Sequence, residues 1–514
     1  MGTNKKTINK EKSEEKTEDQ LEEQTEEQTE EKEGEATGQE EKEEREDGDE
    51  EKEIQEPSEE KTEDQPEEQT EEQSKEQVKE QAPPQVKKNT EFHCSIDNPN
   101  AAAPEIINNL IEDALKHRAS DVHIEPQHKE VVVRFRIDGV LYEICKIPKL
   151  SYENILNRVK VQAHLRVDEH FSAQDGSLRH DLKENVIDVR VSIVPTIEGE
   201  KIVMRMLAVY VPNLSLEDLG VSEEDQQKLL RAVKKPFGMI LAVGPTGSGK
   251  TTTLYALLKT LRVSEINLTT VEDPVEYKIY GANQIQVNLQ TNLTFAKGLR
   301  SIVRQDPDVI LVGEIRDDET AEMAVNSALT GHLLFSTFHA NDAATGIPRL
   351  LDMGIEPFLL ASTLEVISAQ RLVRKICEEC KQKATFDLRK LETFLPSVGK
   401  YFSSKNLSAY MGKGCSHCNN KGYQGRTAIY EIITITPEMR DLILRNPSSQ
   451  EVAQLARKQG SKSLFEDGVE KVREGITTPE ELFRVASPPE VEYLSFKAKS
   501  KLTKQSNESP EKSK

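Results

Sequence analysis

The residues most suited to chemistry form a glycine-rich segment, GPTGSGKT, at 244–251. It follows the apolar run MILAV and precedes the helical run TTLYALLKTL, the strand–loop–helix setting in which G-x-x-x-x-G-K-[ST] binds phosphates. Glycines let successive backbone N–H groups point at phosphate oxygens, and the helix adds its positive N-terminal end. Lys250 is expected to reach the β- and γ-phosphates, and the Thr251 hydroxyl to bind Mg²⁺.

The segment therefore predicts binding of a nucleoside triphosphate such as ATP. A glycine-rich turn without a ligand is the alternative, but the complete motif and both flanking elements argue against it. The candidate nucleotide contacts are Gly244, Pro245, Thr246, Gly247, Ser248, Gly249, Lys250, Thr251 and Thr252.

Two acidic segments end predicted strands elsewhere in the same region. The apolar run DVILVGEIRD ends around Glu314, and TTVEDPVEY supplies Glu272 and Asp273. In phosphate-loop enzymes a carboxylate at a strand end orients and polarises the attacking water. We expect Glu314 to be that base, and Glu272 or Asp273 to hold Mg²⁺ or water. A surface glutamate at a strand end is the alternative interpretation.

Two histidines, His332 and His339, flank a predicted strand in TGHLLFSTFHAND. They follow Glu314 by about twenty residues, and a role in sensing the γ-phosphate is one hypothesis for them. A structural role is the other, because an isolated histidine is usually structural.

Four of the six cysteines form two CxxC pairs, Cys377 with Cys380 and Cys415 with Cys418, separated by 34 residues. Each CxxC offers two thiolates, so the two pairs complete a closed tetrahedral zinc site. Because no position remains for water, the metal is expected to be structural, at about one zinc per chain. A redox-active CxxC is the competing interpretation, and the gap exceeds the usual zinc-ribbon spacing.

The elements that position these residues follow from hydrophobic periodicity. VVVRFRID alternates apolar and polar residues, and VIDVRVSIV and IVMRML do so around Arg190 and Arg205, which predicts the strands of a small α+β domain. A helix with one apolar face begins at Pro104. After the loop, INLTTV, DVILVG and HLLFSTF alternate with helical stretches. That alternation predicts an α/β core with a mostly parallel sheet and a site at the carboxyl ends of its strands.

The expected organisation has seven parts. In chain order they are an acidic low-complexity tail (1–91), an α+β N-terminal domain (92–212), a linker and amphipathic helix (213–235), an ATPase core (236–375), a tetracysteine module (376–430), a C-terminal helical part (431–487) and a flexible basic tail (488–514).

The acidic tail dominates the charge of the whole chain. Residues 1–90 contain 34 acidic and 14 basic residues and no aromatic ones, so we expect them to be disordered. The 16-residue run that begins at Ser13 recurs at Ser58 with a single change, as expected of a duplicated low-complexity tract. Of the formal charge of −23, only −3 remains for residues 91–514. A solvated spacer is the default interpretation of the tail.

Membrane and secretion signals are also informative. No apolar run approaches the length of a membrane span, and the N-terminus has no apolar signal-peptide core. Paired CxxC motifs fit a metal site in a reducing compartment better than a disulfide framework. We therefore expect a cytosolic protein.

Taken in order, these motifs resemble the secretion-superfamily hexameric ATPases that power type II secretion and type IV pilus assembly. The resemblance covers about 100–485. It rests on ASDVHIEP, FRIDGVL, AQDG, DVRVS with GEKIVMRML, GPTGSGKTTTLYA, VEDPVEY, LRSIVRQDPDVILVGEIRDDETAEMA, TGHLLFSTFHAND, RLLDMGIEPFLLASTLEVISAQRLVRKIC and both CxxC pairs. It implies a RecA-like phosphate-loop core and a smaller PAS-like N-terminal domain.

The resemblance also implies residue roles. The acidic motif of the family corresponds to Glu272 and Asp273, its catalytic glutamate to Glu314, and its histidine motif to His332 and His339. Arginines that contact nucleotide phosphates in the family correspond by position to Arg190, Arg205, Arg300 and Arg304. Alternation alone would leave Arg190 and Arg205 facing solvent, whereas the resemblance makes them candidate charge stabilisers comparable to arginine fingers.

At the level of the assembly, the resemblance implies a homo-hexamer with nucleotide between domains and subunits. Closure of the site moves the N-terminal domain, and turnover rotates or lifts an inner-membrane platform protein, so membrane association is peripheral. The acidic tail replaces the folded docking module of many family members, and the tetracysteine module disfavours a pilus retraction motor.

Assembly of a type IV pilus is slightly preferred over a type II secretion pseudopilus. A DNA-uptake or nucleic-acid motor of the same superfamily is the rival of a different class, since the core fold is shared. The chain has no Trp and a nearly balanced folded region, so no direct nucleic-acid contact is expected. A non-enzymatic scaffold is disfavoured by the intact Lys250, Thr251 and Glu314.

Overall fold

A computed structural model describes residues 103–181, 186–207, 214–288, 290–387, 400–402 and 406–489. The acidic tail predicted over 1–91 lies outside these residues, as does nearly all of the basic tail predicted over 488–514. No helix in the described ranges is both long enough and apolar enough to cross a membrane.

The N-terminal domain is a six-stranded antiparallel sheet that packs against two helices. The strand order is β3-β2-β1-β6-β5-β4. The helices are α1 (Ala103–Lys116) and α2 (Lys149–Gln162), and the strands are β1 (Ala119–Pro126), β2 (Glu130–Ile137), β3 (Val140–Pro148), β4 (Gln174–Asp181), β5 (Val186–Thr196) and β6 (Gly199–Leu207).

Its core follows from the alternation of the sequence. In β2, Val131, Val133 and Phe135 are completely buried, and the apolar face of α1 packs on the same cluster through Ile107 and Leu110. Successive side chains of a strand point to opposite faces, so Arg134 and Arg136 are left at the partly exposed face.

The second sheet has seven strands in the order β15-β12-β7-β11-β10-β8-β9. Every neighbouring pair is parallel except β12 with β15. The strands are β7 (Gly238–Val243), β8 (Leu268–Glu272), β9 (Asn283–Gln286), β10 (Val309–Ile315), β11 (Leu333–Phe338), β12 (Leu364–Ile376) and β15 (Tyr423–Thr434).

Helices cover both faces of this sheet, so its central strands are apolar throughout rather than alternating. All six residues of β7 and of β11 are buried, and the side chains of β7 divide between two separate apolar clusters. The helices are α3 (Glu223–Val233), α4 (Lys250–Leu258), α5 (Phe295–Ile302), α6 (Asp318–Leu329), α7 (Ala343–Asp352), α8 (Pro357–Thr363), α9 (Pro437–Ile443), α10 (Ser449–Lys458), α11 (Leu464–Arg473) and α12 (Pro479–Val485).

A two-stranded antiparallel hairpin, β13 (Lys381–Asp387) with β14 (Asn406–Gly412), lies between β12 and β15 in the chain. The predicted boundary at 430 falls inside β15, because that strand leaves the cysteine region and joins the large sheet beside β12. The expected α/β core with a smaller α+β domain is confirmed, with one antiparallel edge strand added to the parallel sheet.

Candidate functional site: an interdomain cleft and a tetracysteine cluster

An open cleft of about 1140 Å³ lies between the N-terminal domain and the large sheet. Residues 245–251 of the glycine-rich segment and the following Thr252 line one side of it, and Arg190 and Arg205 of the N-terminal domain line another. Glu272, Asp273, Glu314 and His339 complete the set of sequence-predicted residues in its walls. Residues that sequence reasoning assigned to one site from distant segments therefore meet in one cavity.

The glycine-rich segment connects β7 to α4 in the way that phosphate binding requires. Gly247 and Gly249 have φ values of +75° and +88°, in the left-handed region that favours glycine. Gly249 is also the N-cap residue of α4, so the N-terminal end of the helix faces the cleft. This arrangement of backbone N–H groups and helix dipole is suited to an anion.

Lys250 is buried beneath this loop. Its Nζ donates to the carbonyl oxygens of Gly244 at 2.9 Å and Pro245 at 3.1 Å. Burial lowers the pKa of Lys250. The charge of Arg371 lowers this pKa further, whereas the charge of Glu314 raises it and so opposes the effect of burial. The ammonium group is held at the loop, where it is available to exchange carbonyl partners for phosphate oxygens.

Glu314 sits at the carboxyl end of β10 between the side chains of Arg316 and His339. One carboxylate oxygen pairs with the guanidinium of Arg316, and the other lies 3.3 Å from His339 Nε2. Arg316 also reaches Asp273 at 3.4 Å. The pair with Glu314 raises the pKa of Arg316, despite some burial. The position of Glu314, largely buried yet lining the cleft, is the one that a base for an attacking water requires.

Glu272 is more deeply buried than Glu314, at 2% exposure. Its carboxylate accepts from the Tyr255 hydroxyl, from Thr270 Oγ1 at 2.7 Å and from Gln284 Nε2 at 3.2 Å. Burial raises the pKa of Tyr255, and the negative charge of Glu272 raises it further. These bonds anchor the end of β8 at the cleft, which is also lined by residues of the glycine-rich segment 244–251, called the phosphate loop below.

Two arginines of the N-terminal domain reach the cleft from neighbouring positions on β5 and β6, where Arg190 and Arg205 are register partners. Arg205 Nε lies 3.1 Å from Asp121. Arg190 donates to the carbonyl oxygen of Val275 at 3.1 Å and lies 3.6 Å from Glu276. Arg190 thus connects the two walls of the cleft directly.

Three sequence-predicted residues lie away from this cleft, and a fourth, Gly244, directly precedes its lining residues in the chain without being one of them. His332 precedes β11, at the opposite end of that strand from His339, and its Nδ1 lies 2.8 Å from the carbonyl oxygen of Ser327. Arg300, on α5, pairs with Glu319 at 3.0 Å, and Arg304 follows in the next turn. The two ends of a strand lie at opposite ends of the sheet. His332 directly precedes β11 and His339 directly follows it, so the two histidines are far apart.

Further charged residues line the cleft without having been singled out from the sequence. They are Asp121, Asp138, Arg136, Glu276, Arg316, Arg371, Arg426 and Arg484. Arg136 shares the partly exposed face of β2 with Arg134, so periodicity alone does not single it out for the cleft. Arg426 and Arg484 arrive from β15 and α12, and no spacing in the sequence signals their approach.

The four paired cysteines converge in a separate cluster. Their Sγ atoms all lie within 4.8 Å of one another. The separations are 3.8 Å for Cys377 with Cys415, 3.8 Å for Cys380 with Cys418, and 3.7 Å for Cys415 with Cys418. Four sulfurs held about 2.3 Å from one zinc ion would stand about 3.8 Å apart, so the cluster fits a tetrahedral zinc site.

Backbone N–H groups stabilise negative charge on these sulfurs. Cys418 Sγ accepts from the N–H of Cys415 at 3.3 Å and of Gly422 at 3.2 Å, and Cys380 Sγ from the N–H of Gly414 at 3.3 Å. Burial opposes ionisation of Cys418, but the two N–H groups and the neighbouring thiols lower its pKa to about 7. Burial prevails at the other two thiols and raises the pKa of Cys377 and Cys380. Thiolate is the form that binds zinc.

Comparison with known proteins places these features in a family. A family model described as type II/IV secretion system protein matches residues 98–484. Type II secretion system protein E of Pseudomonas aeruginosa is 46% identical over 380 residues, which cover 74% of this chain and 74% of that protein. The type IV pilus assembly ATPase PilB of Thermus thermophilus is 42% identical over 382 residues, which cover 74% of this chain and 43% of that protein.

Solved structures agree on the architecture. The pilus retraction motor PilT with bound ADP is 25% identical, with a TM-score of 0.52, and the match covers 75% of this chain and 98% of that one. The ATPase DotB of Legionella pneumophila has a TM-score of 0.57 over 77% of this chain and 99% of that one; at 20% identity it shows the fold alone.

Proposed function

This chain belongs to the type II/IV secretion system protein family, and we propose that its cleft binds Mg²⁺-ATP and hydrolyses it to drive assembly of a pilus or pseudopilus. The ATPase class follows from the family. The observation that supports the use of this cleft is that the phosphate loop, Glu314 and the arginines of the N-terminal domain line one cavity.

In the proposed mechanism the loop N–H groups and Lys250 would hold the β- and γ-phosphates, and the Thr251 hydroxyl would hold Mg²⁺, which would neutralise phosphate charge. Glu314 orients and polarises the attacking water, and His339, 3.3 Å from it, positions its carboxylate. Arg190 and Arg205 neutralise charge that develops on the transferring phosphoryl group. An arginine in that role contributes about 10³-fold or more to the rate.

Nucleotide binding is expected to move the N-terminal domain relative to the large sheet, because the walls of the cleft belong to these two domains. Arg190 contacts Val275 and Glu276 across the cleft. Phosphates that attract Arg190 would break this contact and thereby shift the N-terminal domain. We propose that a homo-hexamer transmits this shift to a platform protein at the cytoplasmic face of the inner membrane, and that the bound zinc is structural.

The test separates binding from hydrolysis with two substitutions in the full chain. Lys250→Ala is expected to lose productive ATP binding, because it removes the buried ammonium group at the loop. Glu314→Gln is expected to bind ATP normally and to hydrolyse it about 10²–10⁴-fold more slowly, because the amide is a poor base. Glu322→Gln, on the exposed side of α6, is the matched control and should turn over normally. Near-normal turnover by Glu314→Gln would contradict the assignment of the base.

The cellular role is tested by affinity capture with Glu314→Gln as the ATP-holding form. Recovery of a pilus platform protein and pilin-assembly factors would identify fibre extension, and recovery of secretion-specific partners would identify type II export. ATPase stimulation by DNA with steep salt dependence would contradict both and favour a nucleic-acid motor.

A further inference from the structure

The phosphate loop rests on the antiparallel strand pair formed by β12 and β15. Gln370 of β12 and Tyr430 of β15 are register partners, directly opposite each other. Both side chains are almost completely buried, at 1% and 2% exposure. Directly opposed residues of an antiparallel pair point to the same face of a sheet, and these two contact consecutive parts of the nucleotide-binding segment.

Gln370 contacts the loop itself. Its Nε2 donates to the carbonyl oxygen of Ser248 at 2.7 Å, and this bond is buried. In a trans peptide the C=O and the following N–H point in opposite directions, so fixing the Ser248 carbonyl toward Gln370 also fixes the Gly249 N–H away from it. A Cβ on Gly249 would come within 3.0 Å of Gln370 Nε2, so glycine permits this close approach.

Tyr430 contacts the first turn of α4. Its hydroxyl lies 3.0 Å from Thr253 Oγ1, and both groups are buried. The backbone N–H of Tyr430 donates to Asp467 Oδ2 at 2.8 Å, which ties β15 to α11 behind it. Thr253 lies two residues after Thr251, so the hydrogen bond fixes the part of α4 that carries the proposed Mg²⁺ contact.

We propose that Gln370 and Tyr430 are positioning residues for nucleotide binding, which act through Ser248 and Thr253 by holding the loop and the start of α4 in the phosphate-binding geometry. Neither is part of GPTGSGKT, and they lie about 120 and 180 residues beyond it in the chain. The inference rests on the proposed ATP site. It explains why the large sheet carries an antiparallel strand beside β12: β15 supplies the second of the two supports.

The experiment measures equilibrium binding of a fluorescent ATP analogue and, separately, the melting temperature of the nucleotide-free protein. The full chain is compared with Gln370→Leu, which removes the donor at similar volume, and with Tyr430→Phe, which removes only the hydroxyl. Tyr152→Phe is the matched control, because it removes a buried hydroxyl bond to the Glu200 carbonyl in the N-terminal domain, away from the cleft.

We expect Gln370→Leu to weaken analogue binding roughly fivefold to tenfold and Tyr430→Phe roughly threefold to fivefold, the scale of one lost buried hydrogen bond. Tyr152→Phe should lower the melting temperature without changing affinity. Adding Thr253→Val to Tyr430→Phe removes the unpartnered hydroxyl, so it should restore part of the melting temperature but not the affinity.

Wild-type affinity in both Gln370→Leu and Tyr430→Phe, with only the melting temperature lowered, would overturn the inference and leave the ATP site intact. Absence of analogue binding by the wild-type chain would instead overturn the proposed function, and the inference with it. Tyr430→Phe changes one atom, so it remains informative if Gln370→Leu does not fold.

Discussion

Replacing one cysteine of the tetracysteine cluster is expected to release zinc and to loosen one defined part of the fold. The substitution is Cys415→Ser, and Ser416→Ala in the same turn is the control that keeps all four thiols. The sulfur separations of 3.7–3.8 Å match the edge of a zinc tetrahedron, which is about 3.8 Å for Zn–S bonds of about 2.3 Å. The four sulfurs would therefore fill all four coordination positions of a tetrahedral zinc ion.

The magnitude follows from the ligand count. Structural zinc sites bind with about 10–16 kcal/mol of free energy, so one of four ligands is worth roughly 3 kcal/mol, or about a 150-fold loss of zinc affinity. The hairpin of β13 and β14 is two-stranded, and such a hairpin is marginal alone. Cys377 directly follows β12 and Cys418 closely precedes β15, so the ion also clamps the far ends of these paired strands.

The assay combines elemental analysis under reducing, chelator-free conditions with amide hydrogen exchange on the full chain. Wild type and Ser416→Ala should hold about one zinc per chain, and Cys415→Ser should hold less. Exchange should rise at the described residues 377–387 and 406–422 in Cys415→Ser, while β10 and β11 stay protected because each is paired with a strand on both sides within the large sheet. Zinc-free wild-type protein, or unchanged protection of residues 377–387 and 406–422 after complete zinc loss, would contradict this prediction.

Two further predictions concern a buried and a partly buried polar contact. Tyr255→Phe removes the hydroxyl donor to the buried Glu272 carboxylate, so in urea denaturation it should lower the free energy of unfolding by about 1.5–3 kcal/mol. The control is Tyr152→Phe, whose hydroxyl donates to a neutral carbonyl, and it should lower the free energy of unfolding by about 1 kcal/mol. Equal losses in the two variants would contradict this prediction. His117 Nδ1 lies 3.2 Å from Asn419 Nδ2, and burial lowers the pKa of His117 from 6.5, so the stabilisation is present above that pH and is lost as pH falls through the lowered pKa. Melting temperatures between about pH 7.5 and about pH 5 should therefore fall more for wild type than for His117→Gln, and parallel curves would exclude this role.

The elements with a strong period or motif were predictable from sequence. The apolar runs at β7, β8, β10 and β11 are buried on both faces, and buried parallel strands must be apolar throughout, so their composition identified them. The alternation around Arg190 and Arg205 identified β5 and β6. The spacing of the CxxC pairs predicted a cluster that the structure brings together.

The limits of sequence reasoning lie at β15. It leaves the cysteine region yet joins the large sheet, and a boundary at 430 cut through it, because an antiparallel edge strand carries no signal of which sheet it will join. The same uncertainty concealed Gln370 and Tyr430, whose importance comes only from what they face. Periodicity states that a side chain is buried, but not which distant segment buries it.

Short sequence motifs already indicate the chemistry: a glycine-rich loop with lysine and threonine, strand-end carboxylates, and four thiols in two pairs. These features depend on residue type and on local backbone geometry, and short segments specify both. The three-dimensional packing, in contrast, sets which of these groups share a site. It separated His332 from His339, set Arg300 and Arg304 apart from the cleft, and brought Arg316 against Glu314. Strand order and domain placement set these distances, and they depend on packing over the whole chain rather than on any one motif.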